Sequence, residues 1–390
     1  MSEAHYQQFL IDNPYPRRLQ QHELIPGHAP AVRLKRNGRE LINFSSSDYL
    51  GLSTHPELIA RSQEYAKQYG VGAGASRLVS GNFSLYEEIE SRLATALGKP
   101  TALILGTGYQ TNLSVLEALC HKKVLGTEPL IFCDKHCHVS MQIAGQSVGK
   151  LQRFHHNDLA HLQTLLEKNK HSYQPRFILV ESFYSMDGDA ADLPALIALA
   201  KEYGAFLYVD DAHAVGMYGH NGFGKAVDYT QDIPFIMGTF SKACGSFGAY
   251  IGCSKITREY LINRCKGLIY STGLSPMILG AISAAIELLP QLTVERQQVL
   301  KQADQLRNFL KNQQLNVGNS TGHIVPWIIG DSKRTLHMAT LLEERGILAV
   351  AIQPPSVQHS LIRFCVTAKH SDADLEQLMI AIKKIIDLSL

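Results

Sequence analysis

The chain has 390 residues, 45% of them apolar and 18% charged, with a formal net charge of +2. That length suffices for a large core and two domains, and the near-neutral charge with dispersed basic residues gives no reason to expect nucleic acid or a membrane surface as partner. Residues 1–25 are rich in Gln, Pro and Arg without an apolar leader segment, and no apolar run nears the roughly 20 residues that span a bilayer. The seven cysteines are odd in number and irregularly spaced, which reads as free thiols in a reducing cytoplasm.

Residues 1–45 read as an arm. Pro14, Pro16, Pro26 and Pro30 break any long helix, and Arg39-Glu40-Leu41-Ile42-Asn43-Phe44 forms a short strand candidate after the Asn37-Gly38 turn. A helix is predicted over about 55–69. From 101 to 253 the strand candidates are 101–106, 129–134, 151–155, 176–182, 206–211, 235–239 and 248–253; helix candidates at 109–121, 138–147, 158–168 and 193–203 lie between them. Most of the strands are continuous apolar runs, the pattern of a parallel sheet covered on both faces. The fold class predicted is α/β, with an open, mostly parallel seven-stranded sheet whose ligands sit at strand carboxyl ends. The 248–253 strand follows its predecessor too closely for a crossover and is expected to run antiparallel. Beyond about 285 a charged helix at 293–313, a strand at 324–329, a helix at 333–345, strands near 347–353 and 360–366 and a last helix at 371–387 make a smaller α+β unit. The division expected is therefore an arm at 1–45, a large domain at 46–285 and a small domain at 286–390.

Several turns carry chemistry. Gly70-Val71-Gly72-Ala73-Gly74 follows a helix, where a dinucleotide fingerprint needs a strand before it, so it reads as a flexible loop near a ligand. Gly106-Thr107-Gly108-Tyr109 stands between a strand and a helix, which suits a phosphate at a helix N-terminus or a plain turn. His136-Cys137-His138, with Cys133 nearby, lacks a second half at zinc-binding spacing, so no metal is expected. His138 either stacks on a flat ring or caps the next helix. Ser185, after the 176–182 strand, is placed to hydrogen-bond a cofactor. Asp210 and His213 end another strand, while Asp211 points to the opposite face and reads as structural. Lys242 lies in the turn Gly238-Thr239-Phe240-Ser241-Lys242, after an apolar run. It is either a loop lysine or an amine poised for a Schiff base with a phosphorylated aldehyde. An acid at one strand end and a lysine at another form the pair that pyridoxal 5′-phosphate (PLP) needs. Tyr270-Ser271-Thr272 would reach a phosphate or cap a helix. Arg363, among apolar neighbours, would meet a substrate carboxylate or an ordinary ion-pair partner.

Together these stretches resemble the α-oxoamine synthase family of PLP-dependent enzymes, with the aspartate-aminotransferase type of fold, over nearly the whole chain. The resemblance rests on Asn43-Phe44-Ser45-Ser46-Ser47-Asp48-Tyr49-Leu50-Gly51-Leu52, Ser76-Arg77-Leu78-Val79-Ser80-Gly81, Ser185-Met186-Asp187-Gly188-Asp189, Asp210-Asp211-Ala212-His213, the Lys242 turn and Tyr270-Ser271-Thr272. Phe154-His155-His156-Asn157-Asp158 and Ala351-Ile352-Gln353-Pro354-Pro355-Ser356-Val357 are most similar to the branch that condenses L-alanine with a pimeloyl thioester, on CoA or a carrier protein, in biotin formation.

The resemblance implies that Lys242 holds the cofactor's aldehyde and acts as base, Asp210 pairs with its pyridine nitrogen, His213 with its phenolic oxygen, and His138 stacks on its ring. Gly108, Tyr109, Ser185 and Thr239 would bind cofactor, Thr239 through the phosphate. Thr272 would reach the phosphate of the partner subunit in a homodimer. Arg363 would take the amino acid's carboxylate, and Arg17 and Ser356 would face the acyl substrate. Gln353 stands where this branch commonly has arginine, Ser47 where asparagine is usual and Tyr86 where histidine is frequent. The alternatives are a sibling that uses glycine, serine or another acyl thioester, an aminotransferase on the same fold, and a non-catalytic binding protein.

Overall fold

The apolar runs between 101 and 253 become one seven-stranded sheet in the computed structural model, which describes residues 3–13, 15 and 19–387. Across the sheet the strands are Thr101–Leu105, Ala249–Cys253, Phe235–Thr239, Ala205–Asp210, Arg176–Glu181, Leu130–Asp134 and Lys150–Phe154. Ala249–Cys253 is antiparallel to both its neighbours, as its short connection requires, and the remaining pairs are parallel. Every residue of Leu130–Asp134, Phe235–Thr239 and Ala249–Cys253 is buried, because helices cover both faces. Asp134, Glu181, Asp210 and Thr239 therefore end side by side on one edge, which carries the turns that follow them.

The helices between the strands begin where a side chain can accept an orphan backbone N–H. Thr107 caps Gly108–Leu119, His138 caps Val139–Val148, Asp158 caps Leu159–Lys168 and Asp192 caps Leu193–Glu202. Several helices go beyond the sequence reading, three of them informative. Ala4–Asp12 lies in the arm just before Pro14 and buries none of its residues; proline limits its length without forbidding it. Ser84–Ala96 buries Tyr86, Ile89 and Leu93 on one face, and Pro276–Leu288 is apolar almost all round and packs on Pro56–Tyr69. No single helix among the described residues is long and apolar enough to cross a membrane.

The arm does not stand apart from the C-terminal part. Arg39–Asn43 pairs antiparallel with Arg33–Arg36 and parallel with Ile347–Leu348. The one strand expected near 347–353 is two pieces: Ala351–Ile352 joins Ser360–Cys365, which also pairs with Ile324–Gly330. One buried cluster runs from Ile42 and Tyr49 through Phe240 and Ala243 to Phe364 and Ile385. The site lies where this continuous core meets the carboxyl edge of the large sheet.

Candidate active site

Asp210 is the last residue of its strand and is buried. A buried carboxylate needs donors. Asn112 Nδ2 donates to its Oδ2 at 2.7 Å, and the Ala212 N–H donates to its Oδ1 at 2.9 Å. Asn112 is itself held by the Tyr208 hydroxyl at 2.8 Å. The neighbouring Asp211 faces the other way, where the Ser182 hydroxyl and the Ala226 N–H engage it; that is the structural role expected from strand alternation. Lys242 is half-buried in the turn after the adjacent strand, and its side-chain amine makes no hydrogen bond or ion pair among the described residues. Burial pushes its pKa down, against the pull of Asp210 and Glu181, and the positive charge of Arg363 adds to the lowering. Lys242 and Asp210 thus share one cleft and feel each other's charge without being bonded.

His213 and His138 complete the surroundings of that cleft. The Tyr49 hydroxyl lies 2.7 Å from His213 Nδ1, and burial together with Lys242 and Arg363 holds His213 well below the usual histidine range. Of the two sequence readings for His138, the structure shows the cap. It caps Val139–Val148, with the Ser140 N–H donating to Nδ1 at 3.3 Å, and its ring stays exposed, edge-on to Tyr109 at 6.1 Å. Desolvation in the cleft lowers its pKa, Asp210 opposes this, and Lys242 reinforces it. A neutral His138 whose Nδ1 accepts carries its proton on Nε2. The His138 main chain is fixed in turn by Glu181, whose Oε1 accepts its N–H at 2.6 Å.

A second cluster gathers at the start of Gly108–Leu119. The Gly108 and Tyr109 N–H groups begin the helix unpaired among the described residues. A Cβ placed on Gly108 would sit 3.9 Å from the Thr239 Cβ, so the Thr239 hydroxyl lies beside this N-terminus. Thr239 Oγ1 is 2.7 Å from Ser241 Oγ and donates to the Gly248 carbonyl at 2.9 Å. Free N–H groups, a helix dipole and two hydroxyls form a donor set for a phosphate. The donors here, the acid at Asp210 and the uncommitted amine of Lys242 fit the three ends of PLP.

Arg363 reaches the cleft from Ser360–Cys365. Its guanidinium donates to the Ser185 carbonyl at 3.2 Å and to Ser47 Oγ at 3.5 Å, and no carboxylate pairs with it among the described residues. The ordinary ion pair weighed for it is thus absent there. Ser185 is buried at the carboxyl edge. Ser356 is not brought to Lys242; it lines a separate cavity of about 490 Å³ together with Arg36 and Gln353. Thr272 is exposed, bridged to Ser76, and lines a small cavity together with Gly106 and Ser271. Arg17 lies outside the described residues.

Among the described residues there are two groups of metal-ligand type, His136 with His156 and Asp187, and His155 with Asp158 and His161. In the first, both nitrogens of His156 are taken by Asp134 and Asp189. In the second, Asp158 caps a helix and His161 Nδ1 accepts the His155 N–H at 3.1 Å. The sequence reading passed over Tyr49, Asn112, Ser140, Tyr208 and Glu181. Their one signal was polarity inside otherwise apolar runs, which says that a partner exists but not which one.

The comparisons with known proteins agree with this geometry. The model of the family "Aminotransferase class I and II" matches residues 39–382. A Paramagnetospirillum magneticum protein, carried under the name 8-amino-7-oxononanoate synthase on a provisional assignment, is 50% identical over 90% of each chain. The 8-amino-7-oxononanoate synthase of Gluconacetobacter diazotrophicus is 43% identical, covering 90% of this chain and 89% of that one. Among solved structures, a serine palmitoyltransferase variant from S. paucimobilis with bound PLP-myriocin aldimine superposes with a TM-score of 0.87 at 26% identity, covering 98% of this chain and 96% of that one.

Proposed function

The chain belongs to the class I and II aminotransferase family, within it to the PLP-dependent α-oxoamine synthases, and from that premise we propose a decarboxylating condensation of L-alanine with a pimeloyl thioester. The products are 8-amino-7-oxononanoate, carbon dioxide and the free thiol of CoA or a carrier protein. The observation that carries the reading is Arg363: a cation inside the cleft, close enough to lower the pKa of Lys242, with no anionic partner among the described residues. An amino acid's carboxylate supplies that partner.

PLP, when bound, supplies an electron sink for the carbon that loses its proton. The chain's own residues do the rest. Lys242 captures the aldehyde, and its depressed pKa makes the neutral amine available to take the Cα proton and later return one. Asp210, braced by Asn112 and the Ala212 N–H, keeps a proton on the ring nitrogen. His213, oriented by Tyr49, would answer the phenolic oxygen. His138 would hold the cofactor's ring, and its Nε2–H would be a donor for the oxyanion that forms when the thioester is attacked. Arg363 holds the carboxylate until it leaves as carbon dioxide. Thr239, Gly108 and Tyr109 anchor the phosphate, joined by Thr272 of the neighbouring copy in a homodimer.

The acyl chain is assigned to the cavity beside Ser356, with Arg17 as a further contact. Gln353 Nε2 is buried there without a partner among the described residues, a donor suited to the distal carboxylate where similar synthases use arginine. All seven cysteines are buried and free, which suits reaction in the cytoplasm. Mass-spectrometric product analysis of alanine, glycine and serine, each against pimeloyl-CoA and shorter and longer acyl-CoAs, tests the reading. Product from alanine and pimeloyl-CoA alone is the expected result. Preference for serine or glycine, or for a monocarboxylic acyl chain, would replace it with a sibling activity.

A further inference from the structure

His156 has no role in the chemistry above, yet it occupies an unusual place. It follows the edge strand Lys150–Phe154, and its side chain is 15% exposed. Nδ1 lies 3.0 Å from Asp134 Oδ1, and Nε2 lies 3.0 and 3.2 Å from the two oxygens of Asp189. Both acids are buried, and neither has another cationic partner among the described residues. A neutral imidazole has a single N–H and would turn the lone pair of its other nitrogen toward one of these carboxylates, a repulsive contact. Burial opposes the charge, but the two hydrogen bonds outweigh it and push the His156 pKa up to about 10. The other groups on the ring are His136, stacked at 4.2 Å and bonded to Asp187, Tyr184, edge-on at 4.4 Å, and the Asn157 amide at 3.4 Å.

The two acids belong to different turns. Asp134 accepts the His136 N–H on Oδ1 and the Asn157 N–H on Oδ2, each at 2.8 Å, while its carbonyl accepts the Cys137 N–H. That turn delivers His138. Asp189 closes the other turn, its carbonyl accepting the Tyr184 N–H at 2.9 Å, and that turn carries Ser185. The far side of the same turn is held by the small domain, through Thr321 and Gly322 N–H groups on the Gly188 carbonyl and through Arg363 on the Ser185 carbonyl.

We propose that His156 is a positioning residue whose imidazolium ties the Asp134 turn to the Asp189 turn, fixing His138 and Ser185 relative to one another across the cofactor cleft. The inference rests on the reading of His138 and Ser185 as PLP contacts. It explains why a buried cation stands at the sheet edge, outside the cleft itself. It also ties the Phe154-His155-His156-Asn157-Asp158 stretch to the site: His156 bridges the acids, and Asn157 adds a bond from Nδ2 to Asp189 Oδ2 at 3.1 Å.

The test uses the full-length, PLP-loaded protein. Selective 15N-histidine NMR at pH 8.5 is expected to show one imidazole with both nitrogens protonated, lost in His156→Gln. His156→Gln is expected to weaken PLP affinity and lower kcat/KM by about 10²-fold, the cost of an ångström-scale misplacement. Asp189→Asn removes one charge and keeps the shape. In it His156 titrates at lower pH, so PLP affinity falls as pH rises past neutrality, whereas the wild type holds until near 10. A neutral His156 at pH 8.5 in the wild type overturns the proposal, as does PLP affinity in His156→Gln within twofold of wild type. Should His156→Gln fail to fold, absence of the new pH limb in Asp189→Asn overturns it instead. His138→Ala and Ser185→Ala separate the two levels. If both bind PLP like wild type, the cofactor assignment falls and this inference with it. If both lose affinity while His156→Gln keeps it, only the clamp falls.

Discussion

Lys242 derives its character from what it lacks as much as from what surrounds it. It has no bonded anion, and burial lowers its pKa, so the neutral amine is available at a pH where an ordinary lysine, near 10.4, is charged. The rate at which apoprotein captures PLP is therefore expected to rise with pH about a midpoint below that of a free lysine; a midpoint at the ordinary value would contradict the assignment. Lys242→Ala is expected to stay folded and to give no PLP-modified peptide after borohydride reduction. Arg363→Ala removes a charge-assisted contact, of the order of 1.5–3 kcal/mol. The KM for alanine should rise about 10- to 150-fold, with a smaller change in the KM for the acyl thioester. The reverse pattern would move Arg363 to the acyl side. Asn112→Leu keeps the volume but strands the Asp210 carboxylate and the Tyr208 hydroxyl. Urea unfolding should show a loss of about 1–3 kcal/mol per orphaned group, and an unchanged midpoint would mean that water replaces the amide.

At the scale of elements, what matters is how the turns after the strands are locked. Gly245 has φ +61°, and a Cβ there would lie 2.2 Å from the Ser53 nitrogen, so the Lys242 turn and the Leu52-Ser53 peptide meet backbone to backbone. Gly188 has φ +66°, and its Cβ would lie 2.1 Å from the Ile324 carbonyl oxygen. Gly188→Ala combines left-handed strain with a clash that no rotamer relieves. The expected result is a destabilised protein whose apparent PLP affinity falls along with its melting temperature; an unchanged melting temperature would show that the two units give way there at no cost. The strand runs and the helices Gly108–Leu119, Leu159–Lys168 and Leu193–Glu202 were legible in the sequence, since apolar runs alternate there with helical stretches. Ser84–Ala96 was not, because its buried face alternates with glutamates and a serine, and its N-cap Phe83 makes no side-chain cap bond.

For the whole molecule, part of the arm, residues of Thr101–Leu105 and Ala249–Cys253 and the C-terminal strands share one buried cluster, and the rest of the large sheet packs in a second that meets it across those two strands. Calorimetry of the full chain should accordingly give one cooperative transition, moved upward by PLP as mass action requires. Two transitions, only one of them shifted by PLP, would show that the units unfold separately. The division expected at 45 and 285 leaves out two features of the structure. Arg39–Asn43 pairs with Ile347–Leu348, and residue 285 falls within Pro276–Leu288. The first joins segments far apart in the chain, and no local pattern announces such pairing; the second is a helix that runs on through the expected boundary.

The succession of strands along the chain, the amine at 242, the acid at 210 and the strand-to-helix turn at 106–109 were legible in the sequence itself. Apolar periodicity and glycine-marked turns are local properties, and the chemistry of a lysine or an aspartate travels with the residue. Which groups would steady them was decided only in three dimensions. Asn112 reaches Asp210, Tyr49 reaches His213, Arg363 comes in from the far end of the chain, and His156 stands between Asp134 and Asp189. Those partnerships span between 22 and 178 positions of sequence. They exist because a buried polar group must be answered by whatever the packed chain brings within hydrogen-bond reach, and that is a property of the packing.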